Sequence, residues 1–261
     1  MSSRRELFLE EIGLTPLWRL RSKDARELAE EGQEGQDRPS SVVAAPAAVP
    51  GPAVSRSATA PEDRAGRIAR MDWAELKAAV AGCTACALRK TCTQTVFGIG
   101  DERADWLLVG EAPGAEEDAR GEPFVGQAGK LLDAMLAGID LKRGENVYIA
   151  NVLKCRPPGN RNPEHAEVAQ CAPFLARQVE LIRPKLILAM GRFACQTLLD
   201  TDASIASLRG RLHRYQNVPL IVTYHPAYLL RNLPDKAKAW EDLCFARRTL
   251  AGMRSEPLTQ S

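Results

Sequence analysis

Four short apolar runs stand out along the chain, and amphipathic stretches with helical spacing separate them. Runs of this length, bounded by Gly, Pro and polar residues, are typical of buried strands. The predicted strands are Trp106–Val109, Val147–Leu153, Leu186–Met190 and Val218–Thr223. One helix is predicted to begin after Asp72, which is a plausible N-cap. Further helices are predicted over residues 128–138, 164–182, 191–199 and 235–251. This alternation predicts an α/β fold, a three-layer α/β/α sandwich around a mainly parallel four-stranded central sheet.

The first seventy residues differ from the rest of the chain. Residues 1–30 carry an apolar stripe at near-helical spacing, which predicts a short N-terminal amphipathic helical segment. We expect it to pack on its own domain, and docking to a protein partner is the alternative. Residues 31–70 are rich in Ala, Pro and Ser, a composition that buries too little apolar surface to order a chain, so we predict a disordered linker. Residues 252–261 are predicted to form a C-terminal tail.

Net charge and hydropathy limit the partners and the compartment that we expect for this protein. The net charge is +2, so no overall basic field indicates nucleic acid, and any DNA site must be a local patch. No apolar run approaches the length of a membrane span, and the N-terminus lacks the apolar core of a signal peptide. We therefore expect a cytoplasmic, monomeric protein that makes no membrane contact.

The cysteine pattern predicts a metal or cluster site. The seven cysteines are Cys83, Cys86, Cys92, Cys155, Cys171, Cys195 and Cys244. An odd number in a reducing compartment argues against a disulfide framework. Cys83 and Cys86 form a C-x2-C pair, and Cys155 and Cys171 form a wider pair; four thiolates suit either zinc or an iron–sulfur cluster. The absence of a second C-x2-C pair favours the cluster. We place Cys92 outside the ligand set, and the remaining two in the core.

Polar residues follow three of the predicted strands. Glu111 comes directly after the first strand, Asn151 lies on the second, and His225 follows the fourth. Ligands of α/β proteins bind outside the carboxyl ends of the strands, so these side chains are expected to share one cleft. The loop after Gly110 is long, which is typical of functional loops. A metal-dependent nuclease that uses the acids around Glu111 is one interpretation, although no paired-acid motif supports it.

Three motifs carry a family resemblance. The segments 110–114, Gly-Glu-Ala-Pro-Gly, and 123–126, Pro-Phe-Val-Gly, resemble the first motif of the family 4 uracil-DNA glycosylases, which contain an iron–sulfur cluster. The segment 225–231, His-Pro-Ala-Tyr-Leu-Leu-Arg, resembles the second motif. The resemblance covers residues 72–250 and implies a uracil-DNA glycosylase domain at residues 71–251. It also implies that the four paired cysteines Cys83, Cys86, Cys155 and Cys171 hold a 4Fe-4S cluster.

The resemblance implies a DNA-repair enzyme that flips uracil out of DNA and hydrolyses its N-glycosidic bond, leaving an abasic site. The partner is then uracil-containing DNA, and the enzyme is a monofunctional N-glycosyl hydrolase. The alternative is a non-enzymatic iron–sulfur or zinc module that binds nucleic acid. An Asn amide suits uracil because it offers one donor and one acceptor, and the pattern on cytosine is reversed.

The resemblance also assigns roles to single residues. Glu111 and His225 are predicted to be catalytic, the histidine by donating to uracil O2 where charge develops. The predicted substrate-binding residues are Gly110, Ala112, Phe124, which would stack on the base, and Asn151. The predicted DNA-binding residues are Arg156, Arg161, Leu229, Leu230 and Arg231. Lys154 is a further candidate for phosphate contact, and Glu116, Glu117 and Asp118 are expected to be solvated.

Overall fold

The computed structural model describes residues 64–255 of the chain, with side chains up to residue 253. The strands are β1 (Ile99–Gly100), β2 (Trp106–Gly110), β3 (Val147–Asn151), β4 (Leu186–Met190), β5 (His213–Tyr215) and β6 (Val218–Thr223). The α-helices are α1 (Arg64–Arg70), α2 (Trp73–Ala81), α3 (Ala115–Arg120), α4 (Gln127–Ala137), α5 (His165–Ile182), α6 (Arg192–Leu199), α7 (Ile205–Leu208), α8 (Pro226–Leu229) and α9 (Asp235–Ser255). Short 3-10 turns lie at Ala87–Lys90 and Pro158–Asn160.

One sheet forms the middle layer, with the strand order β1-β3-β2-β4-β6-β5. The four central strands are parallel, as the sequence predicts, and they are the four predicted strands. The prediction of four strands was incomplete, because β1 and β5 add antiparallel edges of two and three residues. Such short edges carry no periodic pattern from which they can be predicted.

Alternating side chains of the parallel strands face two separate apolar cores. On one face Leu107, Ala150 and Ile187 pack against helices α5 and α6. On the other face Leu108 and Ile149 pack against helices α4 and α9. Strands buried on both faces read as continuous apolar runs, which explains why β2, β3 and β4 are recognisable in the sequence. The three-layer α/β/α prediction is confirmed.

The start of the folded region differs from the predicted boundary. Residues 64–70 belong to helix α1 rather than to a linker, and Ile68 of that helix is buried in a small core with Leu76, Val80 and Phe174. At the other end helix α9 continues to Ser255, past the predicted start of the tail. The predicted N-terminal helical segment and residues 31–63 of the predicted linker lie outside the described residues. Among the described helices, none combines the length and apolarity that crossing a membrane requires.

The connections of the sheet create a cleft at one edge. From β2 the chain passes to β3 on one side, and then crosses to β4 on the other side of β2. The carboxyl ends of strands at such a reversal frame a crevice where α/β proteins bind ligands. Here those ends are followed by Glu111, Val152 and Gly191, and β6 is followed by Tyr224 and His225.

Candidate functional site: a cleft at the carboxyl edge of the sheet

Gly110, the last residue of β2, lies beneath two side chains that line the cleft. A β-carbon at this position would lie 2.4 Å from Asn151 Oδ1 and 2.7 Å from Phe124 Cζ. Both side chains therefore lie directly over the glycine, and any larger residue would displace them. The predicted substrate-binding residues Gly110, Phe124 and Asn151 are thus brought together by the fold.

Phe124 is held in place by several backbone contacts. Its φ of 55° is in the left-handed region, which a non-glycine residue adopts only when the surroundings enforce it. Arg143 supplies part of that constraint, because its guanidinium donates to the carbonyls of Pro123 and Phe124 at 2.9 Å each. The absence of a side chain at Gly129 lets the Phe124 carbonyl approach helix α4, since a β-carbon there would lie 1.8 Å from that oxygen.

Asn151 presents an unsatisfied acceptor to the cleft. The residue is 3% exposed, and its Oδ1 has no hydrogen-bond partner among the described residues. A buried polar atom without a partner costs free energy, typically about 1–3 kcal/mol, and needs an explanation. A ligand that donates a hydrogen bond from within the cleft would satisfy this oxygen.

His225 faces the same space as a neutral imidazole. Its Nδ1 accepts a hydrogen bond from the backbone N–H of Ala227 at 3.1 Å, so the ring proton resides on Nε2. Burial lowers the pKa of His225 to about 4, although the nearby Glu117 opposes that shift. The ring stacks on Phe124 with centroids 5.3 Å apart, and its Cβ would lie 2.8 Å from a β-carbon at Gly191. Near pH 7 the cleft therefore contains a neutral imidazole with one N–H to donate.

Glu111 lies at the mouth of the cleft beside a cation. Burial raises the pKa of Glu111 to about 7, and the charge of Arg192 opposes the shift. Arg192 is the first residue of helix α6, directly after strand β4, and it lines the cleft with Phe193. The sequence analysis missed Arg192, although its place at the end of a predicted strand is the same signal that identified Glu111.

The cleft is open and wide. Its volume of about 870 Å³ lies near the upper end of the roughly 300–1000 Å³ of small-ligand pockets. Ala112, Arg161 and Arg231 are among the residues that line it. Arg161 is held by Glu167, to which its guanidinium donates two hydrogen bonds at 2.5 and 3.0 Å. The third arginine of the predicted DNA-binding set, Arg156, is half-buried and donates to Asn160 Oδ1 at 2.7 Å.

The two leucines of helix α8 and its C-cap have opposite environments. Leu229 is 1% exposed and packs with Tyr224 and Ala239. Leu230 is 42% exposed. A side chain that is fully packed inside the domain is not available to contact DNA, so Leu229 is dropped from the predicted DNA-binding set. Leu233, which the sequence analysis did not single out, follows helix α8 in the chain and is also exposed.

Two of the acids that were expected to be solvated accept hydrogen bonds from the backbone instead. Glu117 accepts hydrogen bonds from the backbone N–H groups of Gly114, Val125 and Gly126, and so ties the two halves of the cleft loop together. Asp118 is buried and accepts from the backbone N–H of Thr93 at 2.9 Å. The prediction that these two are solvated was wrong, because acids in the first turn of helix α3 find backbone donors from neighbouring loops.

The four paired cysteines line a second, smaller cavity. Cys83, Cys86, Cys155 and Cys171 line this cavity together with apolar side chains such as Leu88, Leu153 and Phe174. Burial raises the pKa of Cys171 to about 11, while the ammonium of Lys154 opposes the shift. Burial and the neighbouring thiols Cys92, Cys171 and Cys86 raise the pKa of Cys155. The fold therefore gathers the predicted ligand set, with Cys92 beside it.

These thiols do not form a compact single-ion site. No group of three or more His, Cys, Asp or Glu side chains within residues 64–253 is close enough to hold one metal ion. Tetrahedral zinc requires sulfur atoms about 3.8 Å apart, as follows from a Zn–S bond of about 2.3 Å. In a 4Fe-4S cluster each cysteine binds a different iron, so the sulfurs stand farther apart.

Lys154 is not a surface residue. It is 2% exposed, and its ammonium donates to the backbone carbonyl of Asn151 at 2.8 Å and to Gln178 Oε1 at 2.6 Å. The prediction that Lys154 contacts DNA phosphate was therefore wrong. The turn after β3 points this side chain into the domain, whereas the Arg156 side chain remains half-buried.

Comparisons with known proteins show which family the chain resembles. The family model described as the uracil DNA glycosylase superfamily matches residues 97–244. A type-4 uracil-DNA glycosylase of Archaeoglobus fulgidus is 49% identical over 159 residues, which are 58% of this chain and 79% of that protein. A type-4 uracil-DNA glycosylase of Thermotoga maritima is 45% identical over 158 residues, 60% of this chain and 82% of that protein. A type-5 uracil-DNA glycosylase of Pyrobaculum aerophilum is 33% identical over 146 residues, 50% of this chain and 64% of that protein.

Proposed function

This chain belongs to the uracil-DNA glycosylase superfamily, in its type-4 family, and on that basis we propose that it removes uracil from DNA and leaves an abasic site. The observation that carries the proposal is the Oδ1 atom of Asn151, which is buried over Gly110 without a hydrogen-bond partner among the described residues. It is the acceptor that a flipped base with an N–H on its pairing edge would satisfy.

Recognition of uracil rests on the Asn151 amide and the Phe124 ring. Uracil N3–H donates to Asn151 Oδ1, and the amide nitrogen donates to uracil O4. Cytosine lacks the N3 proton and has an amino group in place of O4, so both contacts fail and buried polar groups remain unpaired. Phe124 packs against the face of the base, in the manner of aromatic platforms for nucleobases. A base must leave the duplex stack to reach this cleft.

His225 acts on the leaving base. When the C1′–N1 bond breaks, its electron pair moves into the uracil ring and negative charge builds up on N1 and O2. The Nε2–H of the neutral imidazole is a preorganised donor for O2, which stabilises charge that develops only in the transition state. A low pKa keeps the imidazole neutral, and its ring orientation is fixed by the bond from Ala227 N–H.

Water completes the hydrolysis at the sugar. The oxygen of water adds to C1′ of the oxocarbenium-like sugar and loses one proton, and the uracil anion takes up one proton at N1. Glu111 is suited to accept the proton from water, because its pKa of about 7 lies near the working pH. The rim residues Arg231 and Arg156 are proposed to contact phosphates, and Leu230 to occupy the space that the base vacates.

The cysteine cavity is proposed to hold a 4Fe-4S cluster on Cys83, Cys86, Cys155 and Cys171. The gathering of these four thiols around one cavity with an otherwise mostly apolar lining supports this group. When bound, the cluster supplies a structural cross-link between the segment before β1, the turn after β3 and helix α5. That role fixes the turn that begins at Asn151, and no step of the hydrolysis passes through the cluster.

The test is release of free uracil from a synthetic oligonucleotide with one uracil, measured beside iron and acid-labile sulfide in the same preparation. The purified full chain should release uracil in EDTA and leave an alkali-labile abasic site. Asn151→Asp keeps the shape of the side chain but loses the donor, and should lower kcat/KM by about 1000-fold or more. The matched control is Asn217→Asp, in the turn between β5 and β6 and outside the cleft.

Full activity in Asn151→Asp would refute the assignment of the base-recognition residue. Binding of DNA without base release would favour the non-enzymatic module, and strand cleavage that EDTA abolishes would favour a nuclease. Zinc without sulfide would overturn the cofactor proposal even if uracil release survived.

A further inference from the structure

Lys154 carries a buried charge that the proposed mechanism does not use. Its side chain is enclosed, and no carboxylate among the described residues lies within ion-pair distance of its ammonium. The two acceptors of the ammonium are neutral, the Asn151 carbonyl and the Gln178 amide oxygen. Enclosing an ammonium is costly unless an opposite charge compensates it. An anionic group that binds nearby would compensate this charge.

The cysteine cavity supplies that charge. The backbone N–H of Lys154 donates to Cys171 Sγ at 3.3 Å, and Lys154 itself lines the cavity with its four thiols. An iron–sulfur cluster held by four thiolates is anionic, and a buried cation beside it is weakly screened. Two further cations lie on the outer side of the same cavity, with Arg64 Nη2 at 3.6 Å from Cys83 Sγ and Arg89 Nη1 at 3.9 Å from Cys92 Sγ. Of the three, Lys154 is the enclosed one.

The same side chain contacts the backbone of a residue that lines the base cleft. Lys154 follows Asn151 by three residues, and its ammonium closes the turn by donating to the Asn151 carbonyl. Gln178 anchors the other side, because its amide donates to the Phe97 carbonyl at 2.9 Å. The Asn151 side chain therefore projects from a backbone that Lys154 holds, and Cys155 follows directly.

We propose that Lys154 is a positioning residue that joins the two sites: it balances the charge of the cluster and fixes the backbone from which the Asn151 amide projects. This inference rests on the proposed function, since it assumes both the cluster and uracil recognition by Asn151. Lys154 touches neither substrate nor reacting atoms in this role, and it acts through Asn151 and through the cysteine site.

The test compares the cluster-loaded full chain with Lys154→Met, whose linear side chain keeps the volume and removes the charge and the donors. The reduction potential of the cluster should move to a more negative value, because loss of a nearby positive charge disfavours the added electron. Under single-turnover conditions kcat/KM for uracil release should fall about 10- to 100-fold, the range for lost hydrogen bonds to a charged group. Lys142→Met removes an exposed lysine that pairs with Glu145, and should match the wild-type protein in both measurements.

A double-mutant cycle separates positioning from general damage. If Lys154 acts through Asn151, adding Lys154→Met to an Asn151→Ala background should cost less than threefold, because the side chain to be positioned is already gone. An equal loss in both backgrounds would overturn the positioning role, and so would a fully loaded Lys154→Met protein with wild-type kcat/KM. An unchanged reduction potential would overturn the charge-balancing role.

Gln178→Met provides a second route if Lys154→Met does not fold. It keeps the ammonium and removes one of its acceptors, so kcat/KM should fall several-fold while the reduction potential stays at the wild-type value. Wild-type kcat/KM in this variant would count against positioning. If the unaltered protein releases no uracil, the proposed function fails by itself, and the shift in reduction potential still tests the charge balance.

Discussion

The base cleft and the cysteine cavity are built from adjoining residues, yet they are prepared for different tasks. The cleft is open and presents two polar groups that can bind a ligand, the Asn151 oxygen and the Nε2–H of His225. The cysteine cavity is small and mostly apolar apart from its thiols and Lys154. The first arrangement suits transient recognition, and the second suits permanent ligation. Strand β3 ends in the cleft with Asn151, and the turn that follows it lines the cysteine cavity. The position of the Asn151 side chain therefore depends on a backbone that the cavity also holds.

This contrast predicts that substitutions in the cleft change the rate and leave the cluster intact. The largest effect on kcat is expected for His225→Ala, because the imidazole N–H serves the leaving base only in the transition state. We expect kcat to fall about 100- to 1000-fold, the usual cost of losing one preorganised donor. Single-turnover release of uracil measures the fall, and iron and sulfide analysis should give wild-type values.

His165→Ala is the matched control for that variant, since His165 is exposed at the start of helix α5 and outside the cleft. Its kcat should equal that of the wild-type protein. A His225→Ala protein that retains kcat within threefold would remove the imidazole from the chemistry. A loss of iron in that variant would break the separation between the two regions.

The pH dependence should show an intermediate effect that belongs to the cleft alone. Burial raises the pKa of Glu111 to about 7, so its carboxylate is fully formed only above that pH. At pH 6 about one protein in ten is ionised at this site, and kcat/KM should therefore rise roughly tenfold between pH 6 and pH 8. Glu111→Gln should lower activity at pH 8 and flatten the profile. An unchanged profile in Glu111→Gln would assign the titration to another group.

The same shift predicts the sign of a stability effect. A carboxyl whose pKa is higher in the folded protein stabilises the fold at low pH, below its usual pKa of 4.5, and this contribution disappears as the pH rises through 7. Glu111→Gln lacks the penalty of burying the ionised form, so it should melt at a higher temperature than the wild-type protein at pH 8. Thermal unfolding at pH 5 and pH 8 measures the difference, which should shrink at the lower pH.

The smallest effect on activity is expected for the exposed leucine of the rim. Leu230→Ala should lower uracil release from duplex DNA several-fold and leave single-stranded DNA unaffected, because a single strand requires no filling of a vacated stack. Its free energy of unfolding should stay within about 0.5 kcal/mol of the wild-type value. Leu229→Ala should instead lower that free energy by about 2–5 kcal/mol. The reverse pattern for the two leucines would contradict their assignment.

Much of the fold follows from the sequence because the parallel strands are buried on both faces. Their continuous apolar runs and the helical spacing between them predict the four central strands and the helices on either side. The edge strands β1 and β5 are too short to leave a pattern, and helix α1 is a seven-residue helix with one buried apolar residue, Ile68, that directly follows an Ala-, Pro- and Ser-rich segment. Tertiary contacts, here the burial of Ile68, order such a segment.

The site was predictable where a polar residue follows a strand, as for Glu111, Asn151 and His225. It was not predictable where the direction of a side chain decides its role. Lys154 and Arg156 are both basic residues of the same turn, but one is enclosed and the other half-buried. Glu117 looks like its neighbour Glu116 in the sequence, yet it accepts three backbone hydrogen bonds of the cleft loop. Spacing along the chain does not indicate the direction in which these side chains point.

Helix α8 joins two residues with different proposed roles. Its four residues are preceded by His225, which is bonded to Ala227 N–H, and are followed by the exposed Leu230. Because one turn of helix joins them, the backbone of this helix sets the spacing between the proposed donor to the base and the proposed wedge residue.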